Sequence, residues 1–112
     1  MPAVTRATIQ APVLRKQAVA CPALGGDVVV RMLKLSERLA LMERMRTGGE
    51  AGRYAQMAEL LAVSVIDAES GAPLMSADEW DLFAAEHWQD ALALMDAAKT
   101  LSGFDAEAVE KN

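Results

Sequence analysis

The strongest constraint on this chain is the run that starts at Ser76-Ala77-Asp78-Glu79. At this spacing the serine hydroxyl and the glutamate carboxylate each satisfy a backbone donor that an opening helix leaves without a partner, so a helix begins here. Behind it Trp80, Phe83, Ala84, His87, Ala91, Leu94, Ala98 and Leu101 recur at intervals of three and four. That period sets them on one stripe, over one helix or two separated near Trp88, and such a stripe must be buried against another layer. Ser102-Gly103 stops the pattern, and Asp105 is placed to cap a last short helix over Ala106–Lys111.

The other layer is written upstream. Gln17–Cys21, Pro22–Gly26 and Asp27–Leu33 read as strand, turn and strand, with β-branched Val28, Val29 and Val30 in the second arm. A second hairpin is expected from Ala62–Asp67, through the turn Ala68–Pro73, to a short return arm at Leu74-Met75. Between the hairpins Leu35-Ser36-Glu37 opens a helix, with Ser36 as acceptor for a first-turn N–H, and Leu35, Leu39, Met42 and Met45 share a stripe expected to be buried. Thr47-Gly48-Gly49 ends that helix, because glycine enters the left-handed region without a Cβ clash. Tyr54, Met57, Ala58 and Leu61 mark the apolar face of an antiparallel successor.

Residues 1–16 show no period and are expected to form a flexible N-terminal tail. The expected fold class is α+β: a predominantly helical single domain over residues 17–112, with one or two β-hairpins forming a small antiparallel sheet. A chain of 112 residues has room for one core of this kind.

Charge and cysteine usage exclude several roles. Residues 1–66 carry nine Lys/Arg against five Asp/Glu, and residues 67–112 carry two against eleven, so the halves come to +4 and −9 within a net −5. The acidic half repels phosphate backbones and the arginines are not interleaved with aromatics, which argues against nucleic-acid binding. The apolar stretches fall short of the roughly 20 residues that a membrane-spanning helix needs. Cys21 is the only cysteine, so no internal disulfide forms and the chain reads as intracellular. Ala18–Cys21 faintly resembles a lipoprotein cleavage site, but Arg15 and Lys16 leave no apolar stretch before it.

The inventory is poor in catalytic chemistry. His87 is the only histidine and Cys21 the only thiol, so neither a His/Cys metal site nor a nucleophile–base pair assembles from neighbours in sequence. Asp67, Glu69 and Asp78 have spacings like part of a calcium loop, but Gly71 and Ala72 stand where a ligand and the required glycine belong, which favours a hairpin turn. Asp78, Glu79, Asp81, Glu86 and Asp90 read as a solvated helix face, which lacks the shifted pKa values that acid–base catalysis needs. Gly48–Gly52 lacks the Lys-Ser/Thr of a phosphate loop and reads as an interhelical turn. No enzyme, metal or cofactor is expected. The seven methionines read mainly as core filling, and Trp80 and Trp88 are candidates for either core or partner anchor.

The order of these features resembles the tail assembly chaperones of long-tailed phages, over most of residues 17–112. The likeness rests on Pro22-x-Leu24-Gly25-Gly26 with Val28-x-Val30-Arg31, a helical pair, Val63-x-Val65-Ile66-Asp67 leading to Gly71-x-Pro73-Leu74, an acidic capped helix, and Leu101-Ser102-Gly103-Phe104 with Ala108–Asn112. Ser102 stands where that family usually has asparagine, and Met75 where it usually has an aromatic residue. The resemblance implies a chaperone that holds the tape-measure protein and helps recruit tail-tube subunits. It would work in the cytoplasm of the bacterial host without ATP and without entering the mature virion, and a homo-oligomer is compatible with that role. Glu110-Lys111-Asn112 is also compatible with a slippery codon run, at which such families make a longer product by programmed frameshift. The contact face is expected at Trp80, Phe83, Trp88 and Leu94. The rival expectation is a structural head–tail connector or tail-completion protein of the virion.

Overall fold

The computed structural model describes residues 2–103, with the side chains of residues 50–55 left aside. The expected first hairpin forms as β1 (Lys16–Cys21) and β2 (Gly26–Arg31), antiparallel from Lys16 opposite Arg31 to Cys21 opposite Gly26. Its turn is a single 3-10 turn at Pro22–Leu24, closed by Gly25 at φ 88°, a conformation that glycine adopts without Cβ strain. Residues 2–15 bury nothing and contain one 3-10 turn at Arg6–Thr8; Arg15 already joins the hairpin, its carbonyl accepting from the Met32 N–H at 2.9 Å.

Helix α1 (Leu35–Thr47) and helix α2 (Gly49–Ser64) follow. Gly49 at φ 63° makes the corner between them, at the expected Thr47-Gly48-Gly49 stop, and the turn is shorter than Gly48–Gly52 because Glu50–Gly52 already belong to α2. Arg44 of α1 pairs with Glu59 of α2, and Leu41 lies beside Leu60, so the two helices run antiparallel as expected. Strand β3 (Val65–Ile66) adds to β2, giving a three-stranded antiparallel sheet in the order β1-β2-β3. Helix α3 (Ala77–Glu86) and helix α4 (Trp88–Leu101) complete the described chain, an α+β domain in which helices dominate. Tyr54 and the expected helix over Ala106–Lys111 lie outside the described side chains and residues.

The second hairpin is shorter than its sequence suggests. Ala62, Val63 and Ser64 continue α2 instead of starting a strand, because the helix keeps burying Leu60, Leu61 and Ser64 to its last turn. Packing of this kind outweighs the strand preference of Val63. The return arm is reduced to a bridge between Ile66 and Pro73 and an N–H of Leu74 donated to the Val65 carbonyl at 3.0 Å. The turn is held by Asp67, whose Oδ1 accepts from the N–H groups of Glu69 (2.8 Å) and Ser70 (3.0 Å). Those backbone donors hold the Asp67 carboxyl below its ordinary value.

The first turn of α1 also departs from expectation. Its free N–H is taken by Glu37, not Ser36: Lys34 N–H donates to Glu37 Oε1 at 2.8 Å. Arg31 from the end of β2 grips both oxygens of the same carboxylate at 2.8 Å each. The Arg31 hydrogen bonds hold the Glu37 carboxyl below its ordinary 4.5, outweighing the opposing effect of burial. A depressed folded pKa means that the stabilisation is complete above the unfolded value and is lost as pH falls through the folded one. Thermal melts of the wild type are therefore expected to lose stability as pH drops below about 4.5, and Glu37→Gln to lose less over the same window. Equal pH slopes in the two proteins would show that this pair contributes nothing.

The core gathers Val30 and Cys21 of the sheet, Leu61 of α2, Trp80 of α3 and Leu94, Met95 and Ala98 of α4, each at most 1% exposed. Ser102 ties the end of α4 to the start of α1, its Oγ accepting from the buried Leu33 N–H at 2.8 Å. Ser102→Ala is expected to cost about 1–3 kcal/mol in urea denaturation, because it leaves a buried N–H without a partner. A loss below the error of the measurement would mean that water replaces the hydroxyl.

Helix α1 overturns the expectation that Leu35, Leu39, Met42 and Met45 are buried: they are 70%, 54%, 46% and 41% exposed. The side of α1 turned toward α2 instead carries Glu37, Ala40, Leu41 and Arg44, with only Leu41 buried. Its charges are tolerated there because Arg31 and Glu59 complete them.

Candidate protein-binding site

His87, at φ −125° and ψ 61°, breaks the long apolar stripe into α3 and α4. The break decides where the aromatic residues go. Trp80 is fully buried, and Phe83 packs edge-on against it with ring centroids 5.3 Å apart. His87 also lies against Phe83, with ring centroids 5.1 Å apart. Leu94 faces inward from α4 and is also fully buried. Of the four residues expected at a contact face, Trp80 and Leu94 are therefore core and Phe83 is mostly covered. Only Trp88, the first residue of α4, stands out, at 48% exposure. The stripe that carries Trp80 and Leu94 is the inward one, which corrects the expectation that they reach solvent.

Beside Trp88 lies a groove of about 210 Å³. Met57, Ala58 and Leu61 of α2 form one side, Asp81, Ala84 and Ala85 of α3 the other, and Met95 of α4 contributes with Trp88. The groove exists because small alanines of α3 stand opposite Ala58, where larger side chains would fill the space between the helices. Leu82, three residues before Ala85 on α3, is 74% exposed. Sequence reasoning missed both Leu82 and Ala85, which sit off the apolar stripe. The available signal was a leucine inside an otherwise acidic face.

Helices α3 and α4 are strongly acidic. Residues 77–101 carry Asp78, Glu79, Asp81, Glu86, Asp90 and Asp96 against the single cation Lys99. Asp81 sits in the groove wall, and Asp78, Glu86 and Asp96 are exposed. Asp90 is the exception to the expected solvated face. Its Oδ2 accepts from the Ala23 N–H at 2.9 Å and lies 3.9 Å from Cys21 Sγ, fastening the hairpin turn to α4. Burial, together with the Asp90 carboxylate, pushes the Cys21 thiol up, so this sulfur stays protonated and unreactive near neutral pH.

The described residues hold no cluster of three His, Cys, Asp or Glu side chains able to hold a metal ion, and no helix long and apolar enough to cross a membrane. What the geometry offers is contact: an apolar slot, an aromatic lip and an acidic surround on a small α+β domain. Comparison with protein-family models, with curated proteins and with solved structures finds no match to this chain.

Proposed function

We propose that this protein is a tail assembly chaperone of a long-tailed bacteriophage, which holds the tape-measure protein and helps recruit tail-tube subunits during tail assembly. The observation that carries the reading is the groove beside Trp88. An apolar cavity of about 150 Å³ accepts benzene, so a slot of about 210 Å³ has room for one aromatic or branched side chain of a client. An exposed tryptophan at the lip of such a slot is the usual composition of a binding hot spot. The carboxylates around it favour a client segment with basic flanks and keep the complex soluble. The resemblance in the order of hairpin, helical pair, turn and capped acidic helix supplies the particular client.

On this reading the protein acts by binding and release in the host cytoplasm, without cofactor or turnover, and leaves before the particle is finished. Co-expression with the tape-measure protein of the same phage is expected to move that client from the insoluble to the soluble fraction and to co-purify it. Mass spectrometry of purified particles is expected to find the chaperone absent. Presence at fixed copy number would instead identify a head–tail connector or tail-completion protein.

A further inference from the structure

The chain begins with an arm that its own domain does not use. None of residues 2–14 is buried, and Val4, Ile9 and Val13 are 75%, 44% and 80% exposed. We infer that this arm docks into the Trp88 groove of a second copy of the chain, with Ile9 in the slot and Arg6 against Asp81, an assignment that rests on the groove being a protein-binding slot but not on the identity of the client.

Charge gives the first support. From Pro2 to Lys16 the arm carries Arg6, Arg15 and Lys16 and no carboxylate. Asp81 lies in the groove wall, and Asp78 precedes it by one turn on α3. Among the described residues, none offers a side-chain hydrogen bond or an ion pair to Arg6, Asp78 or Asp81. Opposite charges left open on one molecule become complementary between two.

The arm also holds a preformed turn. The N–H and the hydroxyl of Thr8 both donate to the Thr5 carbonyl at 3.0 Å, and the Thr5 N–H donates to Thr8 Oγ1 at 3.1 Å. This turn over Arg6–Thr8 offers Arg6 and, directly after it, Ile9 as a pair of cation and branched apolar side chain. Less conformational entropy is then lost on docking than a fully flexible tail would lose.

Topology keeps the arm away from its own groove. Helix α4 begins beside the hairpin turn, where Asp90 accepts from the Ala23 N–H, and ends beside Leu33, whose N–H donates to Ser102. Trp88 and Ser102 are therefore about 21 Å apart at 1.5 Å per residue. The arm is rooted at the Ser102 end, because the Arg15 carbonyl accepts from the Met32 N–H, next to Leu33. Continuing the ladder of β1 and β2 past Arg15 leads away from the hairpin turn, and so away from Trp88. From Arg15 back to Ile9 the chain reaches at most about 20 Å fully extended, which leaves no length for the reversal that self-insertion needs. A second copy supplies the arm without that reversal, and a client reaching the groove must displace it.

Self-association of the full chain tests this without any client. In sedimentation equilibrium the average mass is expected to rise from that of the monomer over about 1 to about 300 µM, the range of a small transient interface, and the association to weaken several-fold between about 50 and about 500 mM salt. Ile9→Asp should abolish the association and leave the melt of the dilute protein unchanged, because Ile9 is not part of the core. Arg6→Glu and Asp81→Arg should each weaken it several-fold, and the two together should restore it. Mild oxidation of a mixture of Ile9→Cys chains and Ala85→Cys chains, with Cys21 buried in both, is expected to join one of each. In the chain carrying both cysteines, links should form between molecules and fall off on dilution. A protein that stays monomeric up to about 300 µM would overturn the proposal. So would association unchanged by Ile9→Asp, a charge swap without recovery, a mixture that does not cross-link, or links that form within single molecules at every dilution. Co-purification of the tape-measure protein is read separately, so either reading can fail while the other stands.

Discussion

Trp80→Ala is expected to destabilise the domain by about 3–5 kcal/mol, the largest effect of any single substitution considered. A domain of this size has roughly 5–15 kcal/mol in total, so the variant should unfold at a much lower urea concentration or fail to fold at 37 °C. The reason is position. Trp80 has no exposed surface, packs edge-on against Phe83 and lies in the cluster that joins the sheet to α2 and α4. Its indole Nε1 has no hydrogen-bond partner among the described residues, so the ring contributes through packing. Trp80→Phe should therefore cost distinctly less than Trp80→Ala, since it keeps an aromatic ring and removes an unsatisfied donor. Equal losses in the two variants, read from urea curves with unchanged slopes, would contradict this account of the core.

Trp88→Ala is expected to behave in the opposite way. Half of its surface is already in water, so truncation should cost about 1 kcal/mol of stability or less. Client affinity, however, should fall by at least about 2 kcal/mol, close to thirtyfold, because Trp88 forms the lip of the groove. Pull-down of the tape-measure protein against a dilution series of each variant separates the two effects. A Trp88→Ala protein that holds its client as well as the wild type would remove the groove from the proposed function.

These two tryptophans show what the sequence discloses and what it hides. Both lie in a run whose helical period and capping box are plain, and Ser76 does accept from the Glu79 N–H at 3.2 Å, while Ser76 N–H donates to Glu79 Oε1 at 3.0 Å. Their opposite fates depend on the break at His87, which involves neither proline nor glycine and so left one helix or two equally open in the sequence. The first hairpin was legible because Val28–Val30 and Gly25-Gly26 point the same way locally and globally. The second was over-read, since packing along α2 claimed Val63 before a strand could.

Helix α1 is the clearest limit of periodicity. The four apolar residues at helical spacing form a stripe, as expected, but a stripe does not say which side meets the rest of the domain. The answer lies in partners distant in sequence. Arg31 completes Glu37 and Glu59 completes Arg44, so the charged side of the helix turns inward without stranding a charge. The apolar side is left exposed. The same limit applied at the candidate site, where a groove between three helices depends on alanines whose opposition only the fold creates.

The central claim is that this domain works through apolar contact at the Trp88 groove. The most direct measurement uses the full-length Trp80→Phe protein, once its cooperative melt is confirmed, because Trp88 is then the only tryptophan. Titration with a soluble fragment of the tape-measure protein is expected to give a saturable blue shift of the emission, as the indole passes from water into an apolar contact. Saturable binding by calorimetry with an unchanged emission maximum would place the client elsewhere and contradict the claim.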